Sequence, residues 1–140
     1  MTSQFLTYED ALEIHADQIA RYGGSAGIRD AGLLRSALAQ PETGFGENLL
    51  HSSLEAQAAA YLYHLVKNHP FIDGNKRVGT ACCLVFLEIN GYELDPSLDE
   101  IDNSTGHTYL EVIVISVVTN KISKEDLIIF LKNNIRPLSD

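Results

Sequence analysis

Residues 54–91, LEAQAAAYLYHLVKNHPFIDGNKRVGTACCLVFLEING, decide how this chain folds. Leu54, Ala58, Ala59, Leu62, Leu65 and Val66 recur at helical spacing as far as Asn68, and Pro70 forbids continuation. After the turn, Val78, Ala81, Cys82, Val85, Phe86 and Ile89 fall at i, i+3, i+4, i+7, i+8 and i+11, with Gly91 as the stop. Two apolar helices joined by nine residues, His69-Pro70-Phe71-Ile72-Asp73-Gly74-Asn75-Lys76-Arg77, are therefore expected.

The pattern extends outward in both directions. Upstream, Thr7-Tyr8-Glu9-Asp10 resembles a capping box and opens a helix from about Tyr8 to Tyr22, ended by Gly23-Gly24. Three glycines between Gly23 and Arg29 predict an irregular or hairpin-like segment. Asp30 caps a second helix through Leu38, ended from outside by Pro41, and Glu42 to Leu50 reads as a surface loop. Ser52-Ser53-Leu54-Glu55 offers the start of the third helix. Downstream, Leu110 to Val118 is dense in β-branched residues. A lone strand in a helical chain would leave its backbone unpaired, so a helix is expected there. Ser123-Lys124-Glu125-Asp126 caps a last one.

With 140 residues, 45% of them hydrophobic and 21% charged, the chain has the size and balance of one globular domain spanning 1–140, without repeats or linkers. The longest apolar run, Val112 to Val118, is interrupted by Ser116 and is far too short to cross a bilayer. MTSQFLTYED has no basic stretch followed by an apolar one, so no signal peptide and a cytoplasmic location are expected. A net charge of -9 argues against general affinity for nucleic acid, and any phosphate must be held by a local cluster. The adjacent Cys82 and Cys83 lie in an apolar helix without metal-ligand spacing, as reduced core residues would.

The turn between the two central helices supplies such a cluster. Gly74 opens a helix, so the amides of Gly74, Asn75 and Lys76 and the positive end of the helix dipole face one small volume. Lys76 adds a point charge there, and Arg77 can fork onto two phosphate oxygens. Asp73 is a hard oxygen ligand of the kind Mg2+ takes beside phosphates. His69 can accept a proton from an attacking hydroxyl. Taken singly, each is an ordinary turn residue. Two cations at the positive end of a helix oppose stability, and a rule broken without structural gain points to function.

HPFIDGNKR resembles the signature HxFx[DE/N][GA]N[GK]R of the Fic/Doc family, and the lysine between Asn75 and Arg77 is similar to the Doc, or death-on-curing, branch. The likeness extends over RYGGSAGIRD, LLRSALAQP, VFLEINGYEL and KISKEDLIIFLKNN. It implies an all-α, compact bundle of about six helices with a short β-hairpin flap, formed by Gly24, Ser25, Ala26, Gly27 and Ile28, that aligns a target segment. It further implies His69 as the general base, Asp73 holding Mg2+ on ATP, Gly74 and Asn75 as the anion hole, and Lys76 and Arg77 as phosphate clamps. In the AMP-transferring branch a second glycine stands in the place of Lys76. Doc-like enzymes are instead understood to transfer the γ-phosphoryl group of ATP to elongation factor Tu, and a small Phd-like antitoxin restrains them through a groove, here expected to draw on the first helix.

Other features weigh less. Thr43-Gly44-Phe45-Gly46-Glu47-Asn48 matches a self-inhibitory pattern, [ST]xxxE[GN], that requires a helix, which two glycines disfavour; restraint by a separate chain is expected instead. His15, on the apolar face of the first helix, reads as a satisfied core or rim residue. His51, His64 and Asp73 have poor spacing for a zinc hydrolase. AMP transfer and a catalytically silent binding module are the alternative readings.

Overall fold

A computed structural model describes residues 3–45, 48–49 and 53–139. Among them are six α-helices: α1 Tyr8–Tyr22, α2 Ala31–Ala39, α3 Leu54–Asn68, α4 Asn75–Ile89, α5 Tyr109–Val118 and α6 Lys124–Asn134. The helix starts follow their caps. Thr7, Asp30, Ser53, Thr108 and Ser123 each accept a hydrogen bond from an amide of the first turn, and at α1, α5 and α6 an acidic residue answers to complete a capping box. The region around Val112 is indeed a helix, with Leu110, Val114 and Val117 buried along one side.

The centre of the molecule is α3. Ala56 through Leu62 are buried without a break, so this helix is enclosed all round instead of burying a single stripe, and Leu65 and Val66 continue the enclosure. Alanines at 56, 58, 59 and 60 let α2, α4 and α6 approach closely. On α4 the buried set beyond Asn75 is Val78, Gly79, Cys82, Cys83, Phe86 and Leu87, while Ile89 is 42% exposed. The expected stripe through Ala81, Val85 and Ile89 is thus rotated. Gly79 is the contact point: a Cβ there would lie 3.0 Å from Val66 Cγ2 and 3.3 Å from the Leu62 carbonyl oxygen. Both cysteines are free and buried, and burial pushes the Cys83 thiol up to about 12, as inert core thiols require.

Short antiparallel pairs complete the fold: β1 Gly44–Phe45 with β2 Asn48–Leu49, β3 Tyr92–Leu94 with β6 Ile135–Pro137, and β4 Ile101–Asp102 with β5 His107–Thr108. The expected loop from Glu42 onward therefore contains a strand pair. Gly44, Phe45 and Asn48 of the candidate inhibitory pattern are in strands, not a helix, whereas Gly46 and Glu47 lie outside the described residues. No described helix is long and apolar enough to cross a membrane.

Candidate active site

The connection from α3 to α4 begins and ends in left-handed backbone. His69 (φ 51°) closes α3 with its amide donating to the Leu65 carbonyl at 3.3 Å, and Gly74 (φ 78°) starts α4. For a residue with a Cβ such a conformation is uncommon and must be held by its surroundings. Asn75 does part of the holding. Its buried Oδ1 accepts from the Phe71 amide at 2.9 Å and its Nδ2 donates to the Phe71 carbonyl at 3.0 Å. Phe71 is fully buried, an apolar anchor beneath the turn, and it stacks on the His15 ring at 3.9 Å between centroids. His15 Nε2 lies 2.9 Å from the Asp73 carbonyl oxygen, which can only accept, so the ring proton sits on Nε2.

Residues 23–30 form the other support. The Arg29 and Asp30 amides donate to the Pro70 carbonyl at 2.7 and 3.0 Å, the Ile72 amide donates to the Gly27 carbonyl at 3.1 Å, and Ile28 bridges Phe71. The Arg29 guanidinium donates to the carbonyls of His69 and Asn68 at 2.7 and 3.0 Å, satisfying the C-terminal end of α3 with a cation. Gly24 and Gly27 are needed for closeness. A Cβ on Gly24 would stand 2.7 Å from Asp73 Oδ2, and one on Gly27 2.9 Å from Ile72 Cδ1. Gly24, Ser25, Ala26, Gly27 and Ile28, expected to form a hairpin flap, thus make no hairpin among themselves, and Gly27 and Ile28 pair with the signature loop instead; among the described residues the strand pairs lie at 44–49, 92–137 and 101–108.

Above this frame is a cleft of about 570 Å3 that brings His69, Asp73, Gly74, Lys76 and Arg77 together, walled by Tyr22, Val66 and Val118. His69 and both cations are exposed to it. Alone among the six helices described, α4 has no side-chain cap, and its first backbone bond runs from the Val78 amide to the Gly74 carbonyl. The amides of Asn75, Lys76 and Arg77 precede that bond. The Gly74 amide is not available as expected, because it donates to Asp73 Oδ1 at 2.9 Å. Asp73 Oδ2 accepts from the Ser25 amide at 3.2 Å. The Arg77 guanidinium lies over the Tyr22 ring, 5.1 Å from its centroid, close to the carbonyls that end α1.

Each Asp73 oxygen accepts one bond and keeps a lone pair, and no group of three or more His, Cys, Asp or Glu side chains converges among the described residues. A single carboxylate beside an uncapped helix start is the donor set that suits Mg2+ arriving with phosphate oxygens and water, not a metal in an all-protein cage. His64 lies beside Lys124, 2.9 Å from its Nζ, and His51 is outside the described residues.

Sequence reasoning singled out the signature residues but missed what holds them. His15 is satisfied, as expected, yet its partner is the signature loop 58 positions away. Arg29 and Tyr22 carried no signal of their own. A histidine facing the core of an amphipathic helix was the one available clue.

This arrangement, a histidine facing the cation-bearing, uncapped start of a helix, accords with the family signature, and the comparison with family models makes the assignment: residues 5–87 match the Fic/DOC family, to which the chain belongs. Among curated proteins it is similar to Toxin Doc of Mycolicibacterium smegmatis, 41% identical over 98 residues, covering 69% of this chain and 72% of that protein. It is also similar to Protein kinase doc of Escherichia phage P1, 29% identical over 109 residues, covering 78% of this chain and 86% of that one.

Proposed function

We propose that this chain is a toxin that transfers the γ-phosphoryl group of Mg-ATP to a hydroxyl side chain of a translation factor, elongation factor Tu, and that a Phd-like antitoxin restrains it in the cytoplasm. The observation that carries the reading is the cleft in which exposed His69 meets Lys76, Arg77 and the uncapped start of α4. The names of the two relatives, a toxin and a protein kinase, support it.

In this reading His69 takes the proton of the acceptor hydroxyl. Lys76, Arg77 and the amides at the start of α4 hold the phosphate oxygens as charge shifts during transfer. Asp73 is the residue that would hold Mg2+, which neutralises phosphate charge when bound. Asn75 acts through its backbone, since its side chain is consumed by Phe71. Gly74 supplies the left-handed backbone (φ 78°) from which α4 starts, and its amide orients the Asp73 carboxylate. Lys76 favours phosphoryl over AMP transfer by filling space that a glycine would leave to a second phosphate.

Incubation with elongation factor Tu and ATP labelled at the γ or the α phosphate tests this. The γ label is expected on the factor; an α label would establish AMP transfer instead. His69→Ala is expected to lose about 100-fold in transfer rate while keeping ATP affinity, the scale of a general base. A variant as toxic to cells as the parent, with neither label transferred by the parent, would leave a binding module. The antitoxin is tested by a rise in melting temperature on adding the candidate small protein, because a ligand of the folded state stabilises it.

A further inference from the structure

Arg29 grips three consecutive carbonyls at the end of α3. Its guanidinium donates from Nε to the His69 carbonyl at 2.7 Å and from Nη2 to that of Asn68 at 3.0 Å, while its amide donates to the Pro70 carbonyl at 2.7 Å. The turn needs donors from outside. A helix that ends on a left-handed residue is commonly closed by the amide of the residue after it, and here that residue is Pro70, which has none. An arginine 40 positions upstream supplies them, and Asn68 is tied to the same part of the chain by donating from Nδ2 to the Leu33 carbonyl at 2.9 Å.

The connection from α3 to α4 is thus held in two halves. Residues 71–75, which lead into Lys76 and Arg77, depend on the Asn75 side chain, His15 and Gly27. Residues 68–70, which carry His69, depend on Arg29, Asp30 and Leu33. The His69 imidazole faces the cleft and makes no hydrogen bond of its own among the described residues. Its direction is set by a backbone at φ 51°, which a residue with a Cβ seldom adopts. What holds that backbone therefore aims the ring.

We propose that Arg29 is a positioning residue for the transfer reaction: its fork on the Asn68 and His69 carbonyls fixes the left-handed backbone that presents the His69 imidazole to the acceptor hydroxyl. The inference rests on the phosphotransfer reading above. It calls for an arginine, because a planar fork spans two carbonyls at once and a lysine reaches them only as a point charge. A cycle of four proteins tests it: the parent, Arg29→Ala, His69→Ala and the double variant, each followed for transfer of the γ label to elongation factor Tu at saturating Mg-ATP and for Mg-ATP affinity by calorimetry. Arg29→Ala is expected to slow transfer roughly 10- to 100-fold, the scale of a reacting group misplaced by about 1 Å, and to leave ATP affinity unchanged because 71–75 keep their own supports. In the His69→Ala background it should cost nothing more, since a residue acting through His69 has nothing left to position. Equal losses in both backgrounds, an unchanged rate in the first, or an ATP affinity that falls in step with the rate would make Arg29 a plain support of the turn and overturn the inference. Arg29→Lys, which keeps the cation at the end of α3 and gives up the fork, takes the place of the alanine variant should that one not fold, and the same outcomes decide. A parent that moves no γ label would overturn the phosphotransfer reading instead. The NMR shift of the His69 Cα then tests Arg29 by itself: it should leave its left-handed value in the Arg29 variant, and an unmoved shift would overturn the inference.

Discussion

The signature loop, 69–74, and the C-terminal region, 92–137, are stabilised in opposite ways. In the first, the partners come from far along the chain: His15 for the Asp73 carbonyl, Arg29 for the end of α3, Gly27 for the Ile72 amide. In the second, much of the bonding is to near neighbours. Asp95 binds the Ser97 amide, Asp102 binds Ser104, Thr108 pairs with Glu111 and Ser123 with Asp126. Local bonds build an element wherever their few residues occur. Long-range bonds hold a loop in a conformation that its own residues would not keep, with His69 left-handed and exposed and α4 uncapped. The active region is therefore vulnerable to substitutions far away in sequence, and the C-terminal region to those next door.

The largest expected effect is that of Asn75→Ala, which removes the loop's own local support, four residues from Phe71, and sets the scale against which its distant supports are measured. It strips a buried amide and a buried carbonyl of Phe71 of their partners, and a loss of about 3 kcal/mol in urea unfolding is expected at 1–3 kcal/mol per orphaned group. A loss below half of that would mean the loop is held without it. Gly24→Ala forces a Cβ to within 2.7 Å of Asp73 Oδ2 at φ +112°, and should cost about 2 kcal/mol and shift Asp73, read as reduced transfer with Mg2+ at every concentration. By the same reasoning, deletion of 24–28 should abolish nucleotide binding together with transfer, since the segment supports the loop itself.

His15→Phe keeps a ring on Phe71 but removes the bond to the Asp73 carbonyl. About 1 kcal/mol of stability should be lost, with a larger fall in transfer than in melting temperature; an unchanged rate would make His15 merely a core residue. In the other region, Ser123→Ala should also cost about 1 kcal/mol, the value of an N-cap, but leave ATP titration unaltered. Weakened ATP binding there would dissolve the contrast between the two regions.

The smallest effect is that of pH. Amide hydrogen bonds from Ser123, Thr108 and Ser97 hold the carboxyls of Asp126, Glu111 and Asp95 below their ordinary values. A group depressed in the folded state stabilises above its unfolded pKa and loses that contribution as pH falls through its folded one. Melting temperature should therefore decline below about pH 4.5, the ordinary range of free carboxyls, and by little, since all three groups are exposed. Substituting Asp126 by Asn should flatten part of that decline.

What the sequence alone determined is whatever obeys a local rule. The six helices follow from apolar spacing, from Thr7, Asp30, Ser53 and Ser123 as caps, and from Pro70 and Gly91 as stops, because caps and periodicity act within a few residues. The helical state of 109–118 followed from the cost of an unpaired strand. The signature was legible for the same reason, as nine consecutive positions whose charges contradict helix stability. Tertiary structure decided the rest. Strands of two or three residues, such as β3 and β6, are too short to show a period and form only because the end of α6 returns to the end of α4. The enclosure of α3 on all sides depends on α2, α4 and α6 meeting around its alanines. Whether 24–28 folds on itself or onto the loop turns on contacts made across some 45 residues. The cleft that brings His69 to Lys76 and Arg77 likewise exists only once α1, α3, α4 and α5 stand together.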